Sequence, residues 1–343
     1  MSKNHEILLA SRPVGAPTAE NFTYRETARP KAGPGEVLLR LLWLSVDPYI
    51  RGRMNEGKSY AAPLVVGEPI VSGGVAEVME SNNPAFPVGA HVSGRIKWAE
   101  WQTHDGEDLT LLDPADGWTK DRLSYALGVL GMPGMTAWVG LNVHGRPKKG
   151  ETIVVSAVTG AVGSVVAQLA KRRGLRVVGV AGGPEKCAYA VETLGCDACV
   201  DHRDPELKAK LAAACPDGVD IYYENVGGVT LAAVMPLMNF FSRIPVCGMI
   251  SQYNATGPAE GPDRLGAMWR SILTNRISVR GFIVFDHADR ASDFMAEVAP
   301  LVASGEIKTR ETVTEGLASA PEAFMALLSG GNFGKAVVKV AEA

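Results

Sequence analysis

The chain has 343 residues, 46% of them hydrophobic and 21% charged, with a formal net charge of −3. That length suits one large domain or two ordinary ones, and the near balance of sign gives no footing for a nucleic-acid or anionic-membrane partner. The opening stretch MSKNHEILLASRP carries too short an apolar run for a signal-peptide core, and the five cysteines show no framework spacing, so a reducing, cytoplasmic setting is expected.

About the first 120 residues are rich in short strand candidates cut by Gly and Pro, such as EVLLRLLWLSV, IVSGGVAEVM and GAHVSGRI. A β-rich domain is predicted there. Leu123 to Val143 contains no Asp, Glu, Lys or Arg. A membrane span needs some 20 mostly apolar residues, but Gly128, Gly131, Pro133, Gly134 and Gly140 interrupt this run. A buried helix–turn–helix is the better expectation.

After Gly150 strands and helices alternate. TIVVSA, LRVVGVA, ACVDH, VDIYYENV and RIPVCGMI read as strands. Helices are predicted over Ala161 to Arg173, Pro184 to Leu194, near Pro205 to Ala214, and from Val229. Such alternation implies βαβ units and a parallel sheet. The tail adds a helix, PEAFMALL, and a strand, GKAVVKVA.

The turn between TIVVSA and its helix reads AVTGAVG. Gly160 and Gly163 take the last two glycine positions of G-x-G-x-x-G, and Val158 stands at the first. Glycines there let a pyrophosphate approach the backbone, and the helix N-terminus offers free N–H groups. The next strand leads into VAGGPEKC: no Asp or Glu ends the strand, two glycines follow, and Glu185 begins the next helix. An acidic residue at that point would bind the ribose hydroxyls of NAD, whereas a basic site takes the 2′-phosphate of NADP. Lys186 therefore points to NADPH.

Several other chemistries find no support. No cysteine precedes Cys187, so the β-rich part has no thiolate for a zinc site. Cys196, Cys199 and His202 form a C-x-x-C-x-x-H triplet, but it runs into a strand, where alternate side chains diverge. No metal is expected. GGNFGKA is not a phosphate-binding loop, and no G-x-S-x-G is present.

The segments SVDPYIRGRM, VGEPIVSGGVAEV, FPVGAHVSG, LGMPGMTAW, SAVTGAVGSVVAQLAK, YYENVGG, CGMISQYN, RGFIVFD and GGNFGKAVVKV follow in that order. Together they resemble the zinc-independent branch of the medium-chain dehydrogenase/reductases, the type that includes prostaglandin and leukotriene reductases, plant alkenal double-bond reductases and bacterial curcumin reductases. The resemblance implies an α/β fold: a doubly wound Rossmann sheet over residues 126–309, plus a GroES-like β-rich domain from 1–125 and 310–343. It implies a homodimer that uses NADPH to reduce the C=C bond of α,β-unsaturated ketones or aldehydes.

Residue roles carry over by matching motif. Gly160, Ala161, Val162 and Gly163 match the pyrophosphate turn, and Lys186 the 2′-phosphate lysine. His202 sits where the family usually has a tyrosine near that phosphate. Asn225 matches the asparagine of ENVGG. Cys247, Gly248, Met249, Ile250, Ser251, Gln252 and Tyr253 match the segment lining the cofactor. Phe282, Ile283 and Val284 match a strand whose backbone holds the carboxamide, and Asn332 an asparagine near the nicotinamide.

Hydride addition to an enone leaves negative charge on the carbonyl oxygen, which a neutral hydrogen-bond donor can stabilise without a metal. A phenol is such a donor at neutral pH. Tyr253, after a Rossmann strand, is one candidate; Tyr49 and Tyr60, in the β-rich domain, are others. Tyr222 and Tyr223 fit a buried-strand pattern instead. Two further readings stay open: a quinone oxidoreductase on the same metal-free plan, and a non-catalytic NADPH-binding sensor or scaffold.

Overall fold

The structure, a computed structural model, describes residues 3–258 and 262–343. The chain forms two compact units. One is the chain up to Gly128 together with Glu311–Ala343; the other is Val129–Arg310.

The second unit is built on a six-stranded parallel sheet. In chain order its strands are Thr152–Ser156, Arg176–Ala181, Ala198–Asp201, Val219–Tyr223, Met238–Val246 and Ser278–Gly281. In space they run third, second, first, fourth, fifth, sixth. The chain starts in the middle, winds outward one way, then returns and winds the other. This is the doubly wound dinucleotide-binding order, whose crevice opens beyond the C-terminal ends of the first and fourth strands.

Burial explains why these residues form strands. Every residue of Thr152–Ser156 is buried, as expected for a central parallel strand covered on both faces. The helix Gly163–Arg172 packs Val165, Val166, Leu169 and Ala170 inward and ends at Gly174, whose φ of +77° suits glycine. Tyr222 and Tyr223 are core residues with no exposure. Their hydroxyls donate to Glu224 Oε1 (2.9 Å) and the Thr136 carbonyl (2.8 Å).

The helix–turn–helix expected over residues 123–143 is present, and one later stretch differs from the sequence reading. Over residues 123–143 a 3₁₀ helix, Lys120–Leu127, precedes an α-helix, Met132–Val139, that runs on as a π-turn, Gly140–Gly145. A Cβ on Gly140 would lie 2.2 Å from the Tyr223 hydroxyl, so that turn depends on glycine. Phe282, Ile283 and Val284 are not a strand. The ladder ends at Gly281, and Val284 opens a 3₁₀ segment, Val284–Arg290. Their apolar, β-branched run mimics a strand, but Ile283 is extended without a ladder partner. Among the described residues, no single helix is long and apolar enough to cross a membrane.

The first unit is β-rich. Val37–Ser45, Val71–Ser81 and His91–Lys97 pair antiparallel in a seven-stranded sheet. The C-terminal segment returns to it: Lys335–Lys339 pairs antiparallel with Val37–Ser45 and parallel with Glu311–Glu315. An N-terminal hairpin, Lys3–Leu9 with Phe22–Ala28, stands as a separate two-stranded sheet.

Gly163 shows how closely the helix is seated in the second unit. A Cβ there would lie 2.3 Å from the Ala157 carbonyl oxygen and 2.8 Å from Val158 Cα. Helix propensity alone favours Gly→Ala by about 1 kcal/mol. The backbone overlap reverses the sign. Gly163→Ala should cost about 1–3 kcal/mol of unfolding free energy in urea denaturation; a gain would show that the helix shifts freely.

Candidate functional site

The turn after the first strand opens with Ala157 at φ +48°. The Gly160 N–H bonds the Ala157 carbonyl (2.9 Å), Ser164 N–H bonds Gly160 (3.0 Å), and Val165 and Val166 N–H bond Val162 (both 3.1 Å). Among the described residues, the N–H groups of Ala161, Val162 and Gly163 have no backbone acceptor. They form the open end of a helix, where partial positive charge gathers. The four residues read from the sequence as a pyrophosphate turn lie together in this loop at the helix N-terminus.

Val158 occupies the place of the missing first glycine and is fully buried. The space for it comes from the neighbouring strand. A Cβ on Gly179 would lie 2.6 Å from Val158 Cγ1. The glycine of the fingerprint is in effect displaced onto the second strand.

That strand ends at Ala181 and is followed by Gly182 and Gly183. A Cβ on Gly182 would meet His202 Nε2 at 2.9 Å and an Arg203 guanidinium nitrogen at 3.3 Å. Lys186, half-buried on the next helix, completes a basic group. Burial and then Arg203 hold the Lys186 ammonium below its ordinary range, against Glu185. Burial and then Arg203 also lower His202, with Lys186 adding to the effect and Asp201 opposing it. Arg203 thus brings positive charge to both Lys186 and His202, and such a concentration of like charge suits an anion. Sequence reading named Lys186 and His202; Arg203, which looks like any surface arginine in the sequence, stands beside them.

The triplet Cys196, Cys199 and His202 does not converge. The Cys199 thiol pairs with that of Cys187, and burial raises both. Burial pushes the Cys196 thiol up to about 12. Such thiols are poor ligands and poor nucleophiles. Among the described residues, no group of three or more His, Cys, Asp or Glu is placed to hold a metal ion.

The C-terminal ends of the first, fourth and fifth strands are tied together by Glu224, which is 2% exposed. Its Oε1 accepts from Tyr222 Oη (2.9 Å), Ser156 Oγ (3.2 Å), Val226 N–H (2.7 Å) and Gly227 N–H (2.9 Å). Its backbone carbonyl accepts the N–H groups of Cys247 (2.9 Å) and Gly248 (3.1 Å). Asn225 bonds the Ser156 carbonyl through Nδ2 (2.7 Å), and its own carbonyl accepts Ile250 N–H (3.2 Å). The Val226 carbonyl accepts both Ser251 N–H (3.1 Å) and Ser251 Oγ (2.6 Å). The whole segment from Cys247 to Tyr253 hangs from three consecutive residues, with Met249 exposed at its edge and Gln252 closing a 3₁₀ turn on Met249.

Tyr253 ends that segment. Its oxygen accepts Met249 N–H at 3.4 Å, and its own proton has no acceptor among the described residues. Burial raises its pKa, so the phenol stays neutral. Cys247 is pushed up to about 12 by burial, so no thiolate competes there.

Tyr49, Tyr60 and Asn332 belong to the β-rich unit. Tyr49 packs against that unit's core, and burial, then Asp47, raises its pKa. The segment before it is clamped by buried Lys335. Its Nζ lies 2.9 Å from the Val46 carbonyl, 2.6 Å from that of Ala336 and 3.3 Å from Asp47 Oδ1. Tyr60 is 58% exposed, and Asn332 Nδ2 donates to the Gly334 carbonyl (2.7 Å). The clamp was not legible, because Lys335 and Asp47 are remote in sequence.

Comparison with known proteins places these features. Residues 5–112 match a family described as the N-terminal domain of oxidoreductase, and residues 161–303 one described as zinc-binding dehydrogenase. The chain is 48% identical to NADPH-dependent curcumin reductase of Escherichia coli (strain K12), over 99% of this chain and 97% of that one. It is 40% identical to 2-alkenal reductase (NADP(+)-dependent) of Nicotiana tabacum, over 98% and 97%. The structure of CurA in complex with NADPH from Vibrio vulnificus superposes with a TM-score of 0.94 at 48% identity, over 99% of this chain and all of that one.

Glu224→Ala should leave Val226 N–H, Gly227 N–H and the Tyr222 hydroxyl short of an acceptor. Each buried orphan costs about 1–3 kcal/mol, so a loss of about 3 kcal/mol or more is expected in chemical denaturation. Glu224→Gln keeps an acceptor oxygen and should lose less. Equal losses in the two variants would show that the donors do not depend on this side chain.

Proposed function

The chain belongs to the zinc-independent branch of the medium-chain dehydrogenase/reductases, and on that premise we propose that it is an NADPH-dependent reductase of the C=C bond of α,β-unsaturated ketones and aldehydes. The observation that carries the cofactor is the basic group of Lys186, His202 and Arg203 around Gly182 and Gly183. Position 182 is where a ribose-binding carboxylate would be sought, and a side chain there would press on the tips of His202 and Arg203. The resemblance to enone and alkenal reductases supports the substrate class.

NADPH, when bound, supplies the hydride that adds to the enone Cβ. The turn at Ala161, Val162 and Gly163 offers its free N–H groups to the pyrophosphate. Lys186 and Arg203 pair with the 2′-phosphate. Asn225 and the segment from Cys247 to Tyr253, held by Glu224, line the cofactor. The Tyr253 hydroxyl, neutral and with its proton uncommitted, donates toward the developing enolate or orients a ribose hydroxyl that does so. Tyr49 and Tyr60 are the donors this reading would fall back on.

We also propose a homodimer. The sixth strand, Ser278–Gly281, is the edge of the parallel sheet, and all four residues are exposed. Beside it the helix Leu265–Asn275 packs Met268 and Ile272 inward and leaves Leu265, Trp269 and Leu273 exposed on a second apolar stripe. An unpaired edge flanked by such a stripe calls for a covering partner. A second copy supplies an identical edge.

Lys186→Ala and Arg203→Ala should each raise KM for NADPH about tenfold or more, since bonds to charged groups contribute roughly 1.5–3 kcal/mol. Use of NADH should change little. An unchanged NADPH/NADH ratio in both variants would remove the basic group from the site. Turnover is read as loss of NADPH absorbance on a linear enone and on a quinone; faster quinone reduction would favour the quinone oxidoreductase reading.

Tyr253→Phe keeps the ring and removes the donor. Losing one such donor typically costs about 10²–10³ in kcat. With a ribose hydroxyl able to share the task, a fall of about tens to a hundredfold is expected, at nearly constant NADPH affinity. Wild-type kcat in Tyr253→Phe beside a crippled Tyr49→Phe or Tyr60→Phe would move the role to the β-rich unit.

A further inference from the structure

Two imidazoles of the second unit have no part in the site described above. His144 lies in the π-turn Gly140–Gly145, and His287 in the segment Val284–Arg290. Their Nε2 atoms are 3.2 Å apart, and their ring centres 5.1 Å apart with planes at 73°. Both rings are half-buried. The His144 ring also packs on Phe282, centre to centre 4.9 Å. His287 departs from helical backbone geometry within its segment, at φ −120° and ψ 26°.

We propose that His144 and His287 form a binding site for one divalent transition ion of the zinc class, held by both Nε2 atoms and completed by water. A tetrahedral ion with nitrogen ligands at about 2.0–2.1 Å sets those nitrogens about 3.3–3.4 Å apart and the ring centres about 5.2 Å apart. The observed separations, 3.2 and 5.1 Å, differ from these by only tenths of an ångström. The rings already stand at the bite of such an ion.

A hydrogen bond across the pair needs a proton on one Nε2. When the ion enters, that proton moves to Nδ1 of the same ring, and both Nε2 lone pairs face the metal. A neutral pair releases no proton in doing so. Arg146 and Arg280 bring positive charge to His144, which penalises any ion held by charge alone. Mg²⁺ and Ca²⁺, which require oxygen ligands, are therefore excluded. Zn²⁺, Ni²⁺ and Cu²⁺ bond well to imidazole and overcome the penalty.

Among the described residues no third His, Cys, Asp or Glu joins the pair. The site is thus open and exchangeable, unlike a closed structural zinc site with four protein ligands. The ion would join the π-turn to the segment that opens at Val284.

The inference is independent of the reductase reading, because its test measures binding to cofactor-free protein. After dialysis against a chelator, the protein is titrated calorimetrically with Zn²⁺ alone and with Mg²⁺ alone. One equivalent of Zn²⁺ should bind, and Mg²⁺ should give no binding heat. His144→Gln and His287→Gln should each weaken Zn²⁺ at least tenfold, while metal-free unfolding stays near that of the parent protein. If His144→Gln fails to fold for want of packing on Phe282, His287→Gln decides alone. Absence of Zn²⁺ binding, or binding unchanged by the substitutions, overturns the proposal.

Discussion

One carboxylate oxygen holds the centre of the second unit together. Oε1 of Glu224 gathers four donors from the first strand, the fourth strand and the turn that follows it. Buried polar groups are held by hydrogen bonds. Because four donors meet at this one oxygen, Ser156, Tyr222, Val226 and Gly227 are fixed relative to one another. The backbone of residues 224–226 then fixes the segment from Cys247 to Tyr253. Positioning a loop at a sheet's C-terminal edge is the task of a dinucleotide fold, and here it rests on one side chain.

The basic group at Gly182 obeys the opposite logic. Lys186, His202 and Arg203 gather like charge: Arg203 holds down both Lys186 and His202, and Lys186 adds to the effect on His202. The two arrangements stand at the C-terminal ends of neighbouring parts of one sheet. One fixes a frame through hydrogen bonds, the other concentrates positive charge beside it, and a rigid frame next to a charged receptor is what a binding protein needs.

Much of this was legible in the sequence, for physical reasons. Fully buried parallel strands read as apolar runs, so Thr152–Ser156 and its neighbours could be placed, and Tyr222 and Tyr223 recognised as core. The glycine turn and Lys186 follow from local chemistry. What escaped depends on contacts between distant residues. Glu224 joins partners from 2 to 68 residues away, and no pattern of spacing betrays it. Arg203 matters only because Gly182 lacks a side chain. Phe282, Ile283 and Val284 are expected on a strand from the resemblance alone, yet the ladder stops at Gly281, a decision made by the sheet.

The pairing of Val158 with Gly179 has a consequence for how this fold changes over evolutionary time. The small residue that the turn requires is a property of a volume shared by two strands, and either strand can supply it. A lineage that places valine in the turn is committed to glycine across the sheet. Reverting Val158 to glycine would open a void beside Gly179, while enlarging Gly179 first would jam the turn. The two positions must therefore drift together, through an intermediate that is worse than either end state. A search pattern that demands glycine at the first position will pass over such chains, although the room for the cofactor's approach has only moved to the neighbouring strand.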